Sequence, residues 1–80
     1  MDKIMSEVCV FLADGFEEIE GLTVVDLLRR AGIETRTVSI MGQEEIKGAH
    51  GIIVKADSLF ENTDFSEVKM LVLPGGMPGT

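Results

Sequence analysis

The sequence predicts an open, doubly wound, mostly parallel α/β sheet, and three observations carry that prediction. Two stretches, SEVCVFLAD at 6–14 and VKMLVLPGG at 68–76, hold apolar runs of the kind found in strands covered on both faces. Strand, helix and strand follow one another within about 35 residues, the length of a right-handed βαβ unit. Glycine-rich turns sit where the first and last strands end, as strand-to-helix connections of such sheets require.

The first strand carries Val8 to Ala13 without a polar break, and Asp14-Gly15 then turns the chain. EEIEGLTVVDLLRRA, 17–31, reads as a helix. Glu17, Glu18 and Glu20 lie in its first turn and Arg29 and Arg30 in its last, as the helix dipole favours, with Gly32 as the stop. At 100° per residue, Val24, Leu27, Leu28 and Ala31 fall on one stripe that is expected to face the sheet. Ile19 and Leu22 lie opposite, which fits a second packed surface such as a dimer partner. IETRTVSI, 33–40, is a β-branched second strand. EIKGAHGIIVKAD, 45–57, reads as two short strands around a turn at Gly48 to Gly51. DSLFENTDFSE reads as a loop with room for one helical turn, and the last strand ends in PGG. A covering helix and further strands are due after Thr80, so the chain reads as the front part of a longer single domain.

Eighty residues allow one small domain, with 45% hydrophobic and 26% charged residues in the range of globular chains. A net charge of −7 argues against nucleic acid or an anionic membrane as partner. The chain has neither a signal-like start nor an apolar run of about 18 residues, so the expected compartment is the cytoplasm. Cys9, the one cysteine, excludes an internal disulfide and sits mid-strand, where a thiol is normally an inert core group.

In open α/β sheets ligands gather beyond the carboxyl ends of the strands. Two turns meet that description, Asp14 to Glu20 and Pro74 to Thr80. On the helical wheel Glu20 shares the sector of Val24, Leu27 and Ala31, whereas Glu18 points outside the stripe. A carboxyl in the inward position loses water and is disposed to keep its proton, ready to donate a hydrogen bond or shuttle a proton. First-turn acids also serve the helix dipole alone. Gly75 and Gly76 let backbone amides come close to a ligand, and two such amides can hold an oxyanion. A plain glycine turn has the same composition. GGMPG lacks the dinucleotide-binding spacing, and no phosphate-loop lysine is present. His50, alone in its turn, reads as a surface histidine or a rim contact.

Four segments in register, LADGFEEIE, VDLLRRAGIE, GAHGIIVKAD and LVLPGGMPGT, resemble the ThiJ/PfpI superfamily, the family of the Parkinson-associated protein deglycase. The resemblance runs over nearly all 80 residues and is closest to the small bacterial ThiJ-type members. It implies a flavodoxin-like three-layer sandwich, of which this chain holds an incomplete part. It implies that Glu20 hydrogen-bonds a reactive cysteine and that Gly75 and Gly76 offer amides to the same pocket. That cysteine belongs to a strand-to-helix elbow absent from this chain; Cys9 does not match it. The activity implied is a cysteine-dependent glyoxalase or deglycase acting on small α-oxoaldehydes or their protein adducts, without metal or organic cofactor. A redox sensor or chaperone using the same Cys–Glu pair is the alternative, and some members carry a thiazole monophosphate biosynthesis label. The resemblance further implies a homodimer packed through the first helix, on the side of Ile19 and Leu22.

Overall fold

A computed structural model describes residues 8–75. Four parallel strands form the main sheet, and one helix packs on it. β1 (Val8–Leu12) runs through the centre, α1 (Glu18–Arg30) follows, and β2 (Thr35–Ser39) returns beside β1. β3 (Glu45–Lys47) and β4 (Ile53–Lys55) form a separate antiparallel hairpin, with Ile46 opposite Val54. β5 (Ser58–Leu59) joins the edge of β2, a 3₁₀ turn spans Phe60–Asn62, and β6 (Met70–Val72) pairs with β1. The order across the sheet is β5-β2-β1-β6.

This is the α/β parallel sheet that the sequence predicts. The strand bounds are narrower than the apolar runs. The expected final strand shrinks to three residues, whose Met70 and Leu71 are more than half exposed. The stretch read as a loop also contributes β5, a two-residue strand too short to leave a pattern.

The pleat sends Val8, Val10 and Leu12 to the α1 face, where they meet Phe16, Val25, Ile46 and Ala56 in one core. Phe16 is fully buried, worth about 1.5–3 kcal/mol of transfer free energy for a side chain of its class. Cys9 and Phe11 alternate to the opposite face. There Phe11 packs edge-on against Phe60 and Phe65, with ring centroids 6.0 and 5.9 Å away. A hollow of about 410 Å³ lies beside this aromatic group, and neither Glu20 nor Gly75 lines it. Cys9 is fully buried; burial pushes its thiol up, and the charge of Arg36 only partly opposes that. An unreactive core thiol is the result, in line with the sequence reading.

The helix is rotated from its expected setting. Gly21 and Val25 are buried, and Leu22, Val24 and Leu28 pack against the core, whereas Leu27 is 58% exposed and Ala31 is exposed. The true inner face is Glu18, Gly21, Leu22, Val25 and Leu28, a regular i, i+3, i+4, i+7 series. Leu27 lies about 180° from Glu18 around the axis. The expected stripe is displaced because an acid, Glu18, belongs to the inner face. Leu22 therefore packs inward, while Ile19 stays 72% exposed.

Candidate functional site

The segment from Asp14 to Glu17 carries the chain from β1 into α1 and is held from two sides. Gly15, with φ of 90°, takes the left-handed turn that a side chain disfavours. Its amide donates to Lys47 O at 2.8 Å, and Asp14 Oδ1 accepts from Lys47 N at 3.1 Å. Ala49 N donates to Phe16 O at 2.8 Å. These bonds join the turn to the β3–β4 hairpin. On the other side Glu17 N donates to Gly75 O at 2.8 Å, bringing in the turn after β6.

Close packing supports that second junction. A Cβ placed on Gly21 would meet the Phe16 ring at 3.1 Å and Pro74 at 3.3 Å, so the glycine lets the helix approach both. Pro74 is buried there.

Glu20 reaches the same turn. Its Oε1 accepts the Gly75 amide at 3.1 Å. The expected convergence of Glu20 with the PGG turn is thus present at Gly75; Gly76 lies outside the described residues. Two expectations need correcting. Glu20 does not point into the core: it is an exposed residue, because its phase lies beside that of Leu27 rather than over the sheet. The Gly75 amide is not open to an incoming oxyanion either, since Glu20 occupies it. Gly75 is clamped at both ends of its backbone, through N–H to Glu20 and through C=O to Glu17.

The buried acid is Glu18, at 2% exposure, where the sequence reading placed an outer residue. Its Oε2 accepts His50 N at 2.8 Å and Ile52 N at 3.2 Å, and its Oε1 lies 2.8 Å from His50 Nδ1. Burial pushes the Glu18 carboxyl up. Hydrogen bonds from the His50 ring, from its own amide and from the amides of His50 and Ile52 outweigh that and hold it at about 2. His50 is correspondingly raised above 6.5, first by the Glu18 hydrogen bond and then by the charges of Glu17 and Glu18. His50 is therefore exposed but paired, not a lone surface histidine. Glu17 Oε2 stands 4.0 Å from the same ring nitrogen, and Glu17 Oε1 caps the helix by accepting Ile19 N at 3.0 Å.

Glu17, Glu18 and His50 bring ligand-type atoms within 4.8 Å of one another, the one such grouping among the described residues. Both Glu18 oxygens are already engaged, so the grouping acts as a hydrogen-bonded charge pair joining α1 to the hairpin turn. Local sequence gave no signal for it, because Glu18 and His50 stand 32 residues apart. Gly48 was the available hint: a Cβ there would collide with the Glu18 carboxyl.

The linkage has a definite sign. A raised His50 contributes stability fully present below its ordinary 6.5 and lost as pH rises through its folded value. A lowered Glu18 contributes stability present above its ordinary 4.5 and lost as pH falls towards 2. Proton NMR of the His50 ring is expected to give a midpoint above 6.5 that falls back towards 6.5 in Glu18→Gln; a wild-type midpoint at or below 6.5 would contradict the pairing.

Comparison with known proteins gives the family. Residues 6–80 match the DJ-1/PfpI family. DJ-1 homolog B of Arabidopsis thaliana is 33% identical over 79 residues, covering 99% of this chain and 18% of that protein. A deglycase of Thermococcus kodakarensis is 36% identical over 70 residues, covering 88% of this chain and 42% of that protein. The solved structure of oxidized Toxoplasma gondii DJ-1 superimposes with a TM-score of 0.84 at 38% identity, covering 89% of this chain and 39% of that one. The chain spans less than half the length of these relatives. It belongs to the DJ-1/PfpI family.

Proposed function

We propose that this chain supplies the acid-bearing wall of a thiol-dependent site in a longer DJ-1/PfpI protein, with the nucleophilic cysteine carried by residues beyond position 80. The observation that carries the reading is the 3.1 Å contact of Glu20 Oε1 with the Gly75 amide. It sets an exposed carboxylate at the carboxyl ends of two adjacent parallel strands, β1 and β6, where α/β sheets collect ligands. Of the two carboxyl oxygens, Oε1 is held by Gly75, and among the described residues none hydrogen-bonds Oε2, which suits that oxygen to a sulfur or a substrate proton.

The reaction is the conversion of a small α-oxoaldehyde, or of its adduct on an amine or thiol, to a 2-hydroxy acid. A deglycase among the relatives supports this class. The thiolate adds to the aldehyde carbon and forms a C–S bond, and the carbonyl oxygen takes a proton to give a hemithioacetal. Glu20 then removes the proton on that carbon to give an enediol and returns it to the adjacent carbon, while a proton passes from the first oxygen to the second, which leaves a 2-hydroxy thioester without net oxidation. Water cleaves the thioester and restores the thiol. In this scheme the Gly75 amide orients Glu20, and the Gly76 amide takes the oxyanion. The exposed Ile19 supports a second copy of the chain packing along the first turns of α1.

A second reading keeps the same residues. The T. gondii relative was solved in an oxidized form, which supports a sensor whose thiol is taken to the sulfinate by two equivalents of peroxide. One experiment separates them. The full-length protein is incubated with methylglyoxal, and lactate is measured; a second sample is treated with peroxide and weighed as the intact protein. Lactate formation that requires the thiol supports the enzyme. A stable gain of two oxygen atoms with no lactate formed supports the sensor and overturns the enzyme.

A further inference from the structure

The Glu20–Gly75 contact depends on where the first turn of α1 stands, and that turn is anchored by Glu18. Three acceptors of the β1-to-α1 segment engage the 48–52 turn: Phe16 O takes Ala49 N, and the two Glu18 oxygens take His50 N, Ile52 N and the His50 ring. Two residues further along, the same helical turn presents Glu20 to Gly75 N, while Glu17 N holds Gly75 O. Glu18 is the only one of these three acids that is buried, and besides its own amide the donors to its carboxyl among the described residues all belong to the 48–52 turn. Gly48 leaves the space the carboxyl fills, since any side chain there would collide with it.

We propose that Glu18 is a positioning residue: by fixing the first turn of α1 to the 48–52 turn, it sets the Glu20 carboxylate against the Gly75 amide. The Glu18 carboxyl engages the 48–52 turn, whereas Glu20 engages Gly75. It acts as a buried tether, held by two backbone donors and by the His50 ring. The inference rests on the reading of Glu20 as a site residue, but its test does not need turnover.

The readout is the Gly75 amide in a ¹H–¹⁵N spectrum of the full-length protein, because that proton sits on the Glu20 carboxylate. Glu20→Gln defines the shift when the charged acceptor is lost. Glu18→Ala is expected to move the Gly75 peak most of the way to that position, with the β1 amides of Val8 to Leu12 unmoved. Glu18→Gln is expected to leave it near wild type, since an amide oxygen still accepts both backbone donors and its NH₂ still meets the His50 ring. Should Glu18→Ala fail to fold, Glu18→Asp, one methylene short of the turn, provides the same displacement in milder form. A Gly75 peak that stays in place in Glu18→Ala, or in the folded Asp variant, reduces Glu18 to a stability residue and overturns the proposal. Absent turnover of methylglyoxal would sink the enzyme reading while leaving this result standing.

Discussion

Replacing Glu20 by Gln in the full-length protein is expected to lower kcat/KM for methylglyoxal by roughly 10²-fold or more, the usual worth of a positioned acid–base group. The substitution keeps volume and an oxygen acceptor for the Gly75 amide, so the turn after β6 stays in place. What it removes is the ability to accept and return a proton. The loss should therefore fall on kcat, with KM changed little. An equal loss from Glu20→Gln and Glu20→Asp would point instead to a purely steric role. Unchanged turnover in Glu20→Gln would remove the residue from the reaction altogether.

Gly48→Ala is expected to cost about 1–3 kcal/mol of stability, the range for overpacking a well-filled site. The new methyl would collide with the Glu18 carboxyl. That carboxyl has nowhere to retreat, because His50 N, Ile52 N and the His50 ring hold it in place. A thermal melt of the folded variant should show a fall of several degrees. Gly51→Ala gives a different comparison: no atom lies within 4 Å of its new methyl, and the penalty there comes only from a φ of 82°. If the double variant Gly48→Ala/Glu18→Ala melts no lower than Glu18→Ala alone, the clash is the cause. A Gly48→Ala protein as stable as wild type would mean that the turn moves freely away from α1.

Much of the architecture was legible in the residues, because burial on both faces writes an unmistakable run. Val8 to Ala13 could only be a central strand, and it became β1. The helix differed from its expected range by one residue at each end, with Arg29 and Arg30 in the last turn and the left-handed Gly32 just beyond. Its phase was not legible. Val24, Leu27, Leu28 and Ala31 make as good an apolar stripe as Gly21, Leu22, Val25 and Leu28, and only the second includes an acid at its head. A wheel scored on hydrophobicity rejects that acid. The physics accepts it because two backbone amides and an imidazole replace the water that Glu18 gives up. Gly21, the small residue that lets Phe16 and Pro74 approach, was the available clue to the true face.

The candidate site divides along the same line. That Glu20 and the PGG turn belong together followed from their places at the ends of two strands, since the sheet itself brings those ends side by side. That the Gly75 amide would bind the carboxylate rather than wait for a substrate was not legible, because it depends on a 3.1 Å contact between residues 55 apart. The same holds for His50. Its pairing with Glu18 arises from a hairpin folded against the helix start, and neither neighbourhood names the other.

At the centre of this account lies the claim that the Glu20 carboxylate, held by Gly75, addresses a cysteine sulfur contributed by later residues of the protein. A crystal structure of the full-length protein in its reduced form tests it most directly. The expected result is a cysteine Sγ within hydrogen-bonding reach of Glu20 Oε2, with Oε1 still on the Gly75 amide. A Glu20 carboxylate still open to solvent, with every cysteine on the far side of the sheet, would contradict it.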